Sequence, residues 1–351
     1  MAKKSGNPYS KLIKKSTIGS VIALLLFFIV ELATTIHHEN RPIPYSEHAV
    51  ELYSNQTGDD LTDLYVSAIN SAKESVVMVI YAMTDPHIIA ALRQKSEEGI
   101  EVFIVCDAKA SQGLARQLPK STVIKRVGDG LTHQKILLID NHEVILGSAN
   151  MTWESLNVHG NLIMALIHPE LAAELTKKIR SMDDEGHSTP LLQKKAVAGD
   201  QTIELWVLPD DSTAVPRLIE LIKSAKKTIK VAMFTWTRID LTEELIHAHK
   251  RGIQVEAVID RNSGKGASAK IVKKLSSAGI PVKLSTGQGL LHHKFAYIDE
   301  SILVNGSANW TLNAFRANDD VFMVIYPLSS IQQSKMNTLW TRITNESRAP
   351  L

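Results

Sequence analysis

Two stretches of the sequence repeat one arrangement of imidazole, ammonium and carboxylate: His133-Gln-Lys135-Ile-Leu-Leu-Ile-Asp140 and His292-His-Lys294-Phe-Ala-Tyr-Ile-Asp299, both of the form H-x-K-x4-D. One such match arises by chance on the order of 0.05 times in a chain of this composition and is weak evidence alone. Two matches at an internal repeat offset are specific. An imidazole titrates near neutrality and can serve as nucleophile, acid or base, and an ammonium group neutralises an anionic substrate as charge builds in the transition state. The pairing therefore suits attack on an anionic ester. Side chains two residues apart project to the same side of a strand, so His133 points with Lys135 and His292 with Lys294. Each aspartate lies seven residues past its histidine, about 23 Å away at roughly 3.3 Å per extended residue. Asp140 and Asp299 are therefore read as structural. After a second short strand (144–146 and 302–304), each half has a Gly-Ser-Ala-Asn turn, which is expected to return Ser148, Asn150, Ser307 and Asn309 to the site. Their hydroxyls, amides and turn N–H groups suit phosphate oxygens.

The elements that must position these residues occur twice. Val50-Glu-Leu-Tyr53 recurs as Ile203-Glu-Leu-Trp206 and Gly99-Ile-x-Val102 as Gly252-Ile-x-Val255, each 153 residues on, and Asp107 and Asp260 keep that offset. The motif histidines and the Gly-Ser-Ala-Asn turns are 159 apart, which leaves six extra residues in the second half. A duplication outranks local assignments in deciding the fold. Each half alternates short apolar runs (76–82, 229–235) with helical periodicity (61–72, 214–225), followed by helices ending at Gly99 and Gly252, where glycine supplies a left-handed cap. This order is that of an α/β layered fold. The expected domains are lobes at 45–180 and 201–345, joined by a polar linker at 181–200 that contains Gly186, Pro190 and Gly199.

These residues resemble the phospholipase D superfamily, whose signature is the His-Lys-Asp pattern followed by a glycine-serine-x-asparagine turn. The resemblance runs from about Tyr45 to Ile343. It implies two duplicated α-β-α sandwich lobes related by a pseudo-twofold axis, with both motifs meeting in one site without metal or other cofactor. Catalysis would pass through a phosphohistidine. Because both motifs lie on one chain, the site requires no second copy. In that family a carboxylate about eleven residues past the asparagine orients the imidazole. Here the second half has Asp320 and the first half departs from the pattern with Asn161. Asp320 is expected to support His292, which would make His292 the nucleophile and His133 the acid and base. The resemblance implies action on phospholipid headgroup phosphodiesters, by hydrolysis or by phosphatidyl transfer as in cardiolipin synthesis. An exported nuclease using the same chemistry is the alternative.

Composition limits the remaining possibilities. The chain has 351 residues, 44% hydrophobic and 22% charged, with a net charge of +2, so no global field selects nucleic acid as partner. A single cysteine, Cys106, excludes an internal disulfide and, lying in an apolar run, is read as buried. Lys3, Lys4, Lys11, Lys14 and Lys15 precede an apolar stretch at 17–36, long enough at about 20 residues to cross a bilayer as a helix. The expectation is a basic cytoplasmic tail at 1–16, a single transmembrane anchor at 17–36, and an extracytoplasmic domain held beside its lipid substrate. A cleaved signal is the rival reading and also exports the domain. Nine histidines (His37, His38, His48, His87, His142, His168, His187, His247 and His249) have no counterpart in the other half and are read as surface or helix residues. His293, between two motif residues, faces away from them. Trp153 and Trp310, just past the asparagine turns, could line a pocket or pack in a core.

Overall fold

Asp60 opens the first helix, Leu61–Ser71, by accepting the Asp63 N–H. Leu61, Leu64, Tyr65, Ala68 and Ile69 recur at helical spacing and are buried. The helix Pro86–Glu97 is started by Asp85 and by proline at its first turn, and Gly99 follows it at φ 89°. In the computed structural model, which describes residues 49–192 and 194–350, these helices cover one face of a seven-stranded sheet. The basic tail and the apolar segment 17–36 lie outside the described residues. Among the described residues no helix is long and apolar enough to cross a membrane.

The first sheet contains β1 (Glu51–Tyr53), β2 (Ser75–Ile80), β3 (Glu101–Asp107), β4 (Thr122–Arg126), β5 (Lys135–Ile139), β6 (Glu143–Gly147) and β7 (Ile163–Ile167), in the order β1-β7-β6-β5-β2-β3-β4. β2, β3 and β4 run parallel, while β5, β6, β7 and β1 pair antiparallel. The second sheet contains β8 (Lys194–Ala198), β9 (Gln201–Leu208), β10 (Thr228–Met233), β11 (Gln254–Ile259), β12 (Val282–Ser285), β13 (Lys294–Ile298), β14 (Ile302–Gly306), β15 (Asp320–Tyr326) and β16 (Ser347–Arg348). Its order, β16-β12-β11-β10-β13-β14-β15-β9-β8, repeats the first plan with an added strand at each edge.

The 181–200 segment is not the free linker that its polarity suggests. Its residues 194–198 form edge strand β8 against β9, and Asp183, Gly186 and His187 offer their carbonyls to the buried Arg126 guanidinium. Alternation along the strands decides which layer each side chain enters. Val77, Val79 and Leu138 of the first lobe share one core with Phe295, Tyr297 and Met323 of the second, closed by Leu175 and Ile179 of helix Pro169–Arg180 and by Leu339 and Trp340 of helix Ser330–Asn345. Ala296, Ile298, Val231 and Met233 point the other way, into the layer under helices Ala214–Ser224 and Ile239–Lys250. Each fully buried Leu, Ile or Phe contributes about 1.5–3 kcal/mol, so a core shared across both lobes binds them into one unit.

Asp140 and Asp299 tie the turns after β5 and β13 to the connections that lead from helices Leu61–Ser71 and Ala214–Ser224 into β2 and β10. Asp140 (φ 53°) stands in the β5–β6 turn, and its carboxylate accepts the N–H groups of Lys73 (2.9 Å), Glu74 (2.8 Å) and Ser75 (2.8 Å). Asp299 (φ 52°) does the same for Lys226 (2.7 Å), Lys227 (2.7 Å) and Thr228 (2.9 Å).

Candidate active site

The chain carries each motif histidine to the seam between the lobes just before β5 or β13 begins. Thr132 bridges to Asp319 and Gly160 to Leu291, and the histidine N–H groups continue the pairing: His133 to the Asp319 carbonyl (2.8 Å) and His292 to the Gly160 carbonyl (3.0 Å). Close approach here requires glycine. A Cβ at Gly130 would stand 1.8 Å from the Ala317 oxygen, and one at Gly289 would stand 2.2 Å from the Val158 oxygen. These contacts match across the duplication.

At this seam the side chains exchange partners. His133 Nδ1 lies 2.8 Å from Asp320 Oδ1, whereas His292 Nδ1 lies 3.0 Å from Asn161 Oδ1. This corrects the expectation that Asp320 supports His292. Each imidazole takes its partner from the other half, because the bridge from Thr132 to Asp319 brings the start of β15 beside His133. Ser148 and Ser307 are corrected too. Both are fully buried behind the imidazoles, where Ser307 Oγ donates to Asp320 Oδ1 (2.6 Å) and Ser148 Oγ donates to Asn161 Oδ1 (2.8 Å). The Gly-Ser turn ends a strand paired to β7 or β15, so its hydroxyl faces the neighbouring strand rather than a substrate. Asn309 accepts the Thr235 N–H (3.1 Å), and Asn150 Oδ1 is buried without a partner.

The hydrogen bonds fix the tautomers. Asn161 uses its amide N–H groups on the carbonyls of Ser155 (2.7 Å) and His159 (3.1 Å), so its oxygen must accept from His292 Nδ1. Burial raises the proton affinity of the Asp320 carboxyl, but His133, Lys135 and Ser307 outweigh it and hold the group below the usual carboxylate range. Asp320 is thus an anion that accepts from His133 Nδ1–H. Among the described residues neither Nε2 makes a hydrogen bond. Burial, then Lys135, pulls the proton affinity of His133 below the ordinary histidine value against the attraction of Asp320. His292 falls further, through burial, Lys294, Lys135 and His133. Burial also pushes the Lys135 ammonium down to about 7, and burial with Lys135 pushes Lys294 well down. Every motif cation thus feels groups of the opposite lobe, and the four side chains form one electrostatic site. Burial opposes positive charge on all four groups, and a phosphate group would draw protons onto them.

Sequence reasoning missed three side chains of this site. Tyr81 packs against His133 (centroids 5.4 Å apart) and under Lys135 Nζ (5.3 Å). Phe234, its counterpart, does the same for His292 (5.0 Å) and Lys294 (5.0 Å). The 153-residue offset relates the two and was the available signal. His159 stands beside His292, with ring centroids 6.5 Å apart. Its counterpart in the second half is Asn318, so a search for repeated histidines passes over it. Of the two tryptophans, Trp310 is buried against Trp236, while Trp153 is 56% exposed. His293 is buried away from the site, with Nε2 2.7 Å from Gln56 Oε1. Among the described residues no group of three or more His, Cys, Asp or Glu is arranged to hold a metal ion.

Comparison with known proteins gives a consistent picture. A family model described as cardiolipin synthase, PLD-like domain, matches residues 65–182 and 218–340. Mitochondrial cardiolipin hydrolase of Xenopus laevis is 29% identical over 135 residues, covering 38% of this chain and 64% of the relative. The protein of that name from Chlamydomonas reinhardtii is 32% identical over 131 residues, covering 36% of this chain and 58% of the relative. The matched region therefore spans less than two thirds of either relative. Phosphatidylserine synthase of Haemophilus influenzae Rd KW20 superposes with a TM-score of 0.65 over 86% of this chain and 87% of its own, at 14% identity, a likeness of fold alone.

Proposed function

Because this chain belongs to the phospholipase D superfamily, we propose that it is a phosphodiesterase that cleaves phospholipid headgroup esters through a phosphohistidine on His133. The observation that carries this reading is the exchange of unlike partners across the seam, Asp320 to His133 and Asn161 to His292. An imidazole that attacks phosphorus through Nε2 becomes cationic, and a carboxylate hydrogen-bonded at Nδ1 stabilises that cation as it forms. Asn161 offers only a neutral acceptor. A protonated His292 beside it is the stronger acid and gives up its proton more readily.

In the first step the lone pair of His133 Nε2 forms a bond to phosphorus while the bond to the leaving oxygen breaks. That oxygen takes the proton from His292 Nε2. In the second step His292, now neutral, removes a proton from water or an alcohol, whose oxygen attacks phosphorus and displaces His133. Lys135 and Lys294 neutralise the non-bridging oxygens and hold them more tightly as charge builds. Asn150 and Asn309, on the two Gly-Ser-Ala-Asn turns, are assigned to the phosphate. Ser148 and Ser307 hold the partners of the imidazoles in register.

The lipid substrate is supported by the cardiolipin names of the family model and the relatives. The apolar stretch at 17–36 supports a membrane-anchored enzyme with an extracytoplasmic site. The test offers purified full-length protein cardiolipin vesicles, phosphatidylcholine vesicles and single-stranded DNA, with and without glycerol. Release of phosphatidic acid is expected, and glycerol-dependent phosphatidylglycerol would identify transfer. DNA cleavage without lipid turnover rejects the lipid reading. In His292→Asn, a substrate with p-nitrophenol as leaving group needs no acid, so the phosphoenzyme should accumulate. Phosphate mapped to any residue other than His133 rejects the assignment.

A further inference from the structure

The duplicated site has two walls, and they are not alike. Beside His133 stands Tyr81, and Asn318 Nδ2 donates to Oδ2 of its partner Asp320 (3.4 Å); beside His292 stand the counterparts Phe234 and His159. Asn318 and His159 share one backbone task. Asn318 Oδ1 accepts the Leu131 N–H (3.1 Å), and His159 Nδ1 accepts the Leu290 N–H (3.2 Å). The amide would have met that need on both sides, so the imidazole brings something more. With Nδ1 occupied as an acceptor, neutral His159 must carry its proton on Nε2 and present a donor. The ring is partly exposed, and its charged surroundings are Glu154, Asp260 and Lys294.

With His133 as nucleophile, the His292 side receives the leaving group. Two phosphorus atoms joined through two oxygens and a three-carbon bridge lie roughly 6–7 Å apart, for six bonds near 1.5 Å with bends between them. The rings of His292 and His159 are 6.5 Å apart. We propose that His159 binds, through Nε2, a second phosphate on the leaving group, joined to the scissile phosphorus by a three-carbon bridge. The inference rests on His133 being the nucleophile and makes His159 a determinant of specificity. A glycerol bridge between two lipid phosphates and the sugar bridge of a nucleic acid share this chemistry.

His159→Asn copies the Asn318 arrangement and keeps an acceptor for Leu290, so it tests the second phosphate without opening the seam; its melting temperature verifies folding. Calorimetry with glycerol 1,3-bisphosphate and glycerol 3-phosphate measures binding whether or not the protein turns over any ester. Wild type should bind the bisphosphate about tenfold more tightly, as one charge-assisted hydrogen bond warrants, and the variant should lose that preference. Equal binding of both compounds by wild type, or an unchanged preference in the variant, overturns the proposal. Cardiolipin compared with phosphatidylcholine vesicles, and a thymidine trinucleotide compared with bis(p-nitrophenyl) phosphate, identify the source. A variant that lowers the first ratio assigns the lipid, and one that lowers the second assigns nucleic acid. Failure of wild type to cleave bis(p-nitrophenyl) phosphate rejects the catalytic reading separately.

Discussion

Asp320 opens a strand of the second lobe, yet its Oδ1 lies 2.8 Å from Nδ1 of His133 in the first lobe, while Ser307 donates to the same oxygen from 2.6 Å. The carboxylate has no exposure to solvent, so its charge acts on the imidazole without screening by water.

Replacing Asp320 with Asn should keep the shape and remove the charge. A side-chain amide can also turn its N–H toward Nδ1 and trap the wrong tautomer. By analogy with the serine-protease triad, kcat should fall by about 10³–10⁴-fold. Steady-state kinetics on bis(p-nitrophenyl) phosphate measures it. A loss under tenfold would show that the carboxylate does not stabilise the attacking imidazole.

Ser307→Ala separates a positioning role from a phosphate contact. The hydroxyl touches Asp320 and the Val321 backbone, so its removal should lower kcat about tenfold, the worth of one hydrogen bond to a charged group, with KM within about twofold. A rise in KM at constant kcat would return Ser307 to the substrate phosphate.

The lysines set a pH dependence of opposite sign for stability and for anion binding. Lys135, pushed down to about 7 by burial, is neutral above that pH in the empty site but charged in the unfolded chain until about 10.5. The unfolded chain therefore binds more protons between these values, and stability of the anion-free protein should rise with pH across that window, by up to about 1.4 kcal/mol per unit. Sulfate keeps its own charge over this range and must recruit the missing proton, so its affinity should fall up to about tenfold per unit above pH 7. Denaturant melts and calorimetry at pH 7, 8 and 9 check both slopes. A flat sulfate affinity would mean that Lys135 keeps its proton throughout.

Asp140→Ala should cost roughly 2–4 kcal/mol of stability, because three N–H groups lose a charged acceptor. Asp140→Asn should cost less, since asparagine tolerates the positive φ and can still accept. Urea unfolding of both variants reads the difference. In contrast to Asp320→Asn, kcat of the folded protein should stay within a few-fold.

The parts of the structure legible in the sequence were those that the duplication states twice. The strand and helix order recurs at 153 residues and the two His-Lys pairs at 159, and the structural reading of Asp140 and Asp299 follows from their distance along each strand. Offsets match equivalent positions, however, and say nothing of whether a side chain meets a partner in its own half or in the other. Asp320 was therefore assigned to the wrong histidine. The same filter concealed His159, whose counterpart is an asparagine. Ser148 and Ser307 misled for another reason: a hydroxyl in a conspicuous turn is an obvious phosphate donor until strand pairing turns it inward. Polarity at 181–200 likewise concealed an edge strand, because β8 lies at the sheet margin and buries little besides Ala198.

The unlike neighbours of the two imidazoles also explain what is gained by carrying both motifs on one polypeptide. Two identical chains meeting about a true symmetry axis would have to give each imidazole the same companion, and any change in one would be mirrored in the other. A fused gene is free of that constraint. Aspartate and asparagine can occupy equivalent posts, and so can histidine and asparagine, and each imidazole can be tuned for a single task.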